Sequence, residues 1–175
     1  MKIPIEIQKD RAGDFKVVVS LQDAITHALL EKDLARIQKD YEKFIKRSKK
    51  ILKKIRKNRK NRGDPILKWK LADAIYIFAK QLESCGYIFA NLTSALSRDL
   101  KISVSEINRL LDFRVTYSDL KLIKKEISWD KYRELISLPD ISLRKKCEMK
   151  ILSGELRTRN DIRIFKRIHK RNSTL

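Results

Sequence analysis

Residues 30–62 read LEKDLARIQKDYEKFIKRSKKILKKIRKNRKNR, and neither Gly nor Pro occurs between Gly13 and Gly63. Leu30, Leu34, Ile37, Tyr41, Phe44, Ile51 and Ile55 recur at alternating spacings of four and three, with Ser48 the one polar member of the series. Such a series is a heptad seam. Ser20 with Asp23 forms an approximate capping box, so the pattern predicts one long helix over residues 20–62. A seam of that length must be buried against another helix. Gly63-Asp64-Pro65 breaks the helix, and Ile66, Leu67, Leu71, Ala74, Ile75, Phe78 and Leu82 then make a second apolar stripe. Two partners are therefore open: the second stripe, in an antiparallel hairpin of one chain, or the same seam of another copy, in a homodimeric coiled coil through residues 30–55.

The distal part of this segment decides the functional class. Lys46 to Arg62 reads KRSKKILKKIRKNRKNR, eleven Lys or Arg in seventeen positions with no acidic residue, in a 175-residue chain of formal net charge +20. Cations packed this densely repel one another unless a polyanion neutralises them. Nucleic acid is the commonest polyanion of that kind, and the release of its condensed counterions supplies most of the affinity. A solvated, charged helix face is the plain alternative, but such faces usually mix both signs.

Upstream, Ile3, Ile5 and Ile7 alternate onto one face, Asp10 to Asp14 holds a Gly, and Phe15 to Val19 resumes the apolar pattern. This reads as a β-hairpin over residues 1–19. A lone hairpin is marginal in water, so it must pack on something or pair. Downstream come shorter helices with visible starts. One is expected from Tyr87 to Leu100, burying Ile88, Leu92, Ala95, Leu96 and Leu100. The next is capped by Ser103 with Glu106, and later ones by Ser128, by Ser142 with Gly154 as stop, and by Thr158 with Asp161. The fold expected is mainly α: an N-terminal β-hairpin, a long basic helix and a helical domain with a helix-turn-helix-like core, divided into residues 1–62 and 63–175.

Several classes find no footing. Cys85 and Cys147 lack metal-ligand spacing and read as reduced thiols, and no apolar run approaches the roughly 18 residues that span a bilayer, so no membrane role and a cytoplasmic location are expected. His27 and His169 have no companion ligands. No Gly-rich phosphate loop occurs, and no cofactor is expected. Trp69 and Trp129 could stack on bases, but each sits in an apolar helical pattern and is expected in the core.

Two constellations remain. The helices 87–100 and 103–115 have helix-turn-helix lengths, and the second presents Ser105, Glu106, Asn108, Arg109 and Asp112. Asn and Arg read adenine and guanine edges bidentately, which makes Asn108 and Arg109 the candidate base contacts. The turn Leu100-Lys101-Ile102 lacks the frequent Gly, and an ordinary corner between two helices stays open. The second constellation is Pro139-Asp140 followed by Glu148-Met149-Lys150, the bare string of many metal-dependent nucleases. Glu148 and Lys150 lie about 200° apart on a helix and cannot share a metal, so no catalysis is expected.

The string Ser128-Trp129-Asp130-Lys131-Tyr132-Arg133-Glu134-Leu135, with Pro139-Asp140 and Arg144, resembles the helical N-terminal domain of the YhcG-type predicted nucleases. The resemblance covers about residues 65–165 and begins near Leu67-Lys68-Trp69. Family members usually continue into a PD-(D/E)xK nuclease domain, which is absent before Leu175, so the resemblance implies a DNA-recognition role without cleavage. The sequence thus predicts a protein binding nucleic acid, double-stranded DNA ahead of structured RNA. A coiled-coil protein with an acidic partner is the alternative from another class. Phosphate contacts are expected from Lys49, Lys50, Lys53, Lys54, Arg56, Lys57, Arg59, Lys60 and Arg62, with a second clamp from Arg157, Arg159, Arg163, Lys166 and Arg167.

Overall fold

The computed structural model describes residues 5–17 and 27–172, with side chains described at 5–17, 32–58 and 61–169. The expected Ser20–Asp23 capping box and the side chains of His27 and Leu30 lie outside the described residues. The elements are β1 (Ile5–Lys9), β2 (Phe15–Val17), α1 (His27–Lys57), α2 (Arg59–Arg62), α3 (Pro65–Ser84), β3 (Tyr87–Phe89), α4 (Leu92–Leu100), α5 (Val104–Thr116), a 3-10 turn (Leu120–Leu122), α6 (Trp129–Leu135), α7 (Ile141–Leu152) and α8 (Arg159–Asn172). The architecture is mainly α with an N-terminal hairpin, as the sequence predicts.

These elements group into two compact units. Of the described residues, one holds 5–17, 27–52 and 71–111, the other 53–70 and 112–172. The division expected at residue 62 is not where they part, because α1, α3 and α5 each contribute residues to both units.

In the first unit the hairpin β1–β2 is antiparallel, pairing Ile7 with Val17 and Lys9 with Phe15. The Asp10 carboxylate closes its turn by accepting from the amides of Gly13 at 2.9 Å and Asp14 at 3.0 Å. Gly13 takes φ +108°, a conformation other residues rarely adopt. The hairpin does not stand alone. β3 joins β1 in parallel, with Ile5 opposite Tyr87 and Ile7 opposite Phe89. This corrects the helix expected from Tyr87. Tyr-Ile-Phe is a β-favouring run, Gly86 at φ +86° turns the chain out of α3, and the open edge of β1 supplies hydrogen-bond partners. Ile88 is accordingly exposed rather than buried. Asn91 completes the pairing: its side-chain amide accepts from Lys9 N at 3.0 Å and donates to Lys9 O at 2.9 Å.

The middle of the α1 seam is buried within a single chain, while Leu34 and Ile51 are half-buried. Ile37, Tyr41 and Phe44 are 3%, 1% and 8% exposed. Phe44 stacks on Phe78 of α3 with ring centroids 4.8 Å apart, and Tyr41 meets Phe15, Phe78 and Phe89 edge-on or tilted. The intrachain hairpin is realised over Ile37 to Phe44; it does not exclude the homodimer through residues 30–55.

The helix also stops earlier than expected. Asn58 is extended (φ −147°, ψ 166°), and its side chain accepts from Asn61 N, opening the short α2. Asn61 in turn donates from its side chain to Lys54 O at 2.9 Å, satisfying a carbonyl that the end of α1 leaves free. Asparagine side chains compete with helical backbone bonds in this way, and the break falls at the first such residue in the run. Asp64 then caps α3 through the amides of Ile66 and Leu67, with Pro65 at the first helical position.

The second unit is built around an aromatic cluster. Phe113 and Tyr132 are fully buried, and Phe113 lies 5.1 Å from Trp129 and 5.4 Å from Tyr117 between ring centroids. Trp69 is buried and donates its indole N–H to Tyr117 O at 2.7 Å. Both tryptophans therefore pack, as expected. α7 starts two residues earlier than predicted and is capped by Asp140, which accepts from Ser142 N and Leu143 N, rather than by Ser142. A carboxylate can serve two amides at once and suits the positive helix start. The box of Thr158 and Asp161 opens α8 as read: Asp161 N donates to Thr158 Oγ1 and Asp161 Oδ2 accepts from Thr158 N.

Candidate nucleic-acid interface

The distal part of α1 has two chemically distinct sides. Ser48, Leu52 and Ile55 are buried, while Lys49, Lys50, Lys53, Lys54, Arg56 and Lys57 are all exposed. At about 100° per residue those six cations occupy an arc of about 160°, opposite the three buried positions. The segment 49–57 is about 12 Å long, so its cations recur about every 2 Å, close to the one charge per about 1.7 Å of duplex DNA.

Pairing divides the helix in the same place. In its first half, Arg36 meets Asp33 at 3.0 Å and Lys43 meets Asp40 at 3.1 Å, each one helical turn apart. Among the described residues, no carboxylate lies within ion-pair reach of Lys49, Lys50, Lys53, Lys54, Lys57 or Arg62. The negative end of the α1 dipole favours the cations of its last turn, Lys54, Arg56 and Lys57, without any ligand. It does not account for Lys49, Lys50 and Lys53 further back. The side chains of Arg59 and Lys60 lie outside the described set.

α4 and α5 follow one another through a three-residue turn. Lys101 adopts φ 54°, ψ 51°, the left-handed conformation that a Gly would supply at this position. Ser103 Oγ accepts from Glu106 N at 3.2 Å and starts α5. Ile107 and Leu110 face the core, and Ser105, Asn108 and Asp112 face out. Arg109 is half-buried and lies 3.9 Å from Glu106 one turn back. Asn108 and Arg109 thus stand side by side on the outer part of α5, with acidic neighbours.

The C-terminal clamp is organised differently from expectation. Arg159, Arg163 and Lys166 converge on Glu134 of α6, with Arg163 and Lys166 each at 3.1 Å. Glu134 is 6% exposed. Burial alone would raise its carboxyl, but hydrogen bonds from Arg159 and Lys166 outweigh that and hold it below its ordinary value. Arg157 donates from Nε to Gly154 O at 3.1 Å. Of the five residues, Arg167 alone has no partner drawn from the described residues. Three cations about one carboxylate leave the cluster net positive, so it fastens α8 to α6 and still presents positive charge.

Glu134 was missed because in Trp-Asp-Lys-Tyr-Arg-Glu-Leu it looks like one more solvated charge. A second network missed by the sequence joins strand, helix and helix: Asp99 Oδ2 accepts from Lys9 Nζ and from the Tyr41 hydroxyl, both at 2.9 Å. The nuclease-like string occupies structural roles: Asp140 caps α7, Glu148 accepts from the Tyr117 hydroxyl at 2.6 Å, and Lys150 pairs with Glu155. Among the described residues no group of three His, Cys, Asp or Glu side chains could hold a metal ion, and no helix is long and apolar enough to cross a membrane. Cys85 is exposed and Cys147 buried, neither in a disulfide; burial pushes the Cys147 thiol up to about 11.

No protein-family model, no curated protein and no solved structure matches this chain, so the resemblance carried by Ser128 to Leu135 rests on those residues alone.

Proposed function

We propose that this protein binds double-stranded DNA without cleaving it, through the basic outer face of α1 and the positive surface of α8. The observation that carries this reading is the row Lys49, Lys50, Lys53, Lys54 and Lys57, without a carboxylate partner among the described residues and exposed on one side of a helix whose other side is buried. Contacts of this kind go to phosphates, so they set affinity and orientation rather than sequence. A helix-turn-helix role for α4 and α5, with Asn108 and Arg109 reaching base edges, is the part of the proposal that would add sequence preference. The structural roles of Asp140, Glu148 and Lys150 support binding without catalysis. The N-terminal-domain resemblance is in keeping with a DNA-recognition role, and the free thiols suit a cytoplasmic location.

A gel shift over a salt series tests the reading, with the protein titrated against a DNA duplex, a single strand and a structured RNA. Duplex binding that weakens steeply and linearly in log salt is expected. Tighter binding to the RNA at every salt concentration would move the proposal to RNA, and salt-insensitive binding would remove nucleic acid altogether.

A further inference from the structure

The second unit carries a cleft that plays no part in the DNA-binding reading. It lies between one face of α7 and the segment 116–124, with a volume of about 510 Å³. Three large apolar side chains open onto it: Leu122, Ile141 and Met149 are 49%, 63% and 63% exposed. Scattered exposed hydrophobes need no explanation, but a convergent set at a concave site marks an interaction surface.

Charge frames this apolar floor. Lys121, Lys124 and Lys145 line the cleft and are exposed. Its one acidic lining residue, Glu148, is engaged by the Tyr117 hydroxyl at 2.6 Å, and Arg144 is turned onto Leu138 O at 2.6 Å. Four cations, Lys121, Lys124, Arg144 and Lys145, against the one carboxylate of Glu148 leave the lining net positive around three aliphatic or thioether side chains.

We propose that this cleft docks an acidic amphipathic helix of a partner protein. Ile141, Lys145 and Met149 follow one another at single-turn intervals on α7, so the face is about 12 Å long, the length of about two turns of a facing helix. A partner with apolar residues one turn apart would seat them against Leu122, Ile141 and Met149, its carboxylates reaching the lysine rim. A second copy of this chain is disfavoured by its own net charge of +20. Nucleic acid matches the rim but not the floor, because bases stack on accessible aromatic or guanidinium planes, whereas the Tyr117 ring is 4% exposed and the Arg144 guanidinium lies 6.0 Å from that ring and donates to Leu138 O. Met149 suits a surface that adapts to the partner's side chains.

The test uses the full chain and two fluorescein-labelled helical peptides of equal negative charge. One carries leucines at one-turn spacing between glutamates, and the other has serine in place of every leucine. The leucine peptide should bind at least about tenfold more tightly, as removal of buried anchors from an interface typically costs. Ile141→Ser with Met149→Ser leaves the net charge unchanged and alters two exposed positions. It should erase that difference, leave duplex DNA affinity unchanged and keep the wild-type circular dichroism. Equal binding of the two peptides by wild type would show attraction by charge alone and overturn the proposal. So would an undiminished preference in the double variant. A single-stranded oligonucleotide whose affinity falls as far as the peptide's in that variant would assign the cleft to nucleic acid and overturn it too.

Discussion

Tyr41, at 1% exposure in the middle of α1, donates its hydroxyl hydrogen at 2.9 Å to the carboxylate of Asp99 on α4. The same carboxylate oxygen accepts from Lys9 of β1, whose ammonium also lies 4.4 Å from the Tyr41 ring centroid. One carboxylate thereby fastens the seam, the sheet and α4. Tyr41→Phe keeps the ring packing and removes one hydrogen bond, which should cost about 1–2 kcal/mol. Asp99→Ala should cost more, because it leaves the Lys9 ammonium without its carboxylate. Thermal melts of both variants check the order; a Tyr41→Phe protein as stable as wild type would show that the hydroxyl contributes nothing.

Acid should loosen both units for a related reason. Burial acts to raise the Asp99 carboxyl, but hydrogen bonds from Lys9 and Tyr41 outweigh it and hold it below its ordinary 3.8; Glu134 is likewise held below 4.5. A depressed carboxylate binds fewer protons folded than unfolded, so its contribution is complete above the unfolded value and disappears as pH falls through the folded one. Stability should be flat from neutral pH to just above 4.5 and then decline. Urea melts at stepped pH should show a shallower decline in Glu134→Gln, from a lower plateau. A decline as steep as that of wild type would exclude Glu134 as a source.

Ser48 sits on the seam between Phe44 and Ile55, is 0% exposed, and its hydroxyl has no hydrogen-bond partner among the described residues. A buried hydroxyl left in that state is a net loss, and alanine is the stronger helix former. Ser48→Ala should stabilise by about 1 kcal/mol, raising Tm by about 2–4 °C. A lower Tm would mean that the hydroxyl is satisfied in solution.

Lys101 is the one non-glycine residue at positive φ among the described residues, in the turn between α4 and α5. Left-handed backbone costs an L-residue about 1–2 kcal/mol, part of which glycine returns through its greater unfolded-state entropy. Lys101→Gly should therefore raise stability by up to about 1 kcal/mol while leaving α4 and α5 in place, as denaturant midpoints would show.

What could be read directly from the chain was what local pattern dictates. The heptad seam, the break at Gly63 to Pro65 and the boxes at Ser103–Glu106 and Thr158–Asp161 each depend on residues within a few positions of one another. β3 was not legible because its partner strand lies about eighty positions away, and three residues carry no periodicity of their own. The end of α1 turned on whether Asn58 would bond its own backbone, a competition that apolar spacing does not report. The clamp on α8 was half legible. Its cations were found, but their common carboxylate, Glu134, comes from another helix and is indistinguishable in sequence from a solvated one.

The exposed row on α1 gives the sharpest functional expectation. Lys50, Lys53 and Lys57 are exposed, carry no carboxylate partner among the described residues and contribute nothing to the buried side of the helix. Their joint replacement by Gln should leave the fold intact, since glutamine is nearly as good a helix former as lysine. Each lost phosphate contact lowers the slope of log affinity against log salt by about 0.9, so the triple variant should bind any duplex more weakly with a slope shallower by up to about 2.7. Arg109→Ala should act otherwise, costing about 1–3 kcal/mol on a preferred sequence and little on others. Binding titrations at four or five salt concentrations, on one preferred and one unrelated duplex, separate the two. A triple variant with wild-type slope would show that this face of α1 points away from DNA, and equal losses on both duplexes for Arg109→Ala would remove α5 from sequence reading.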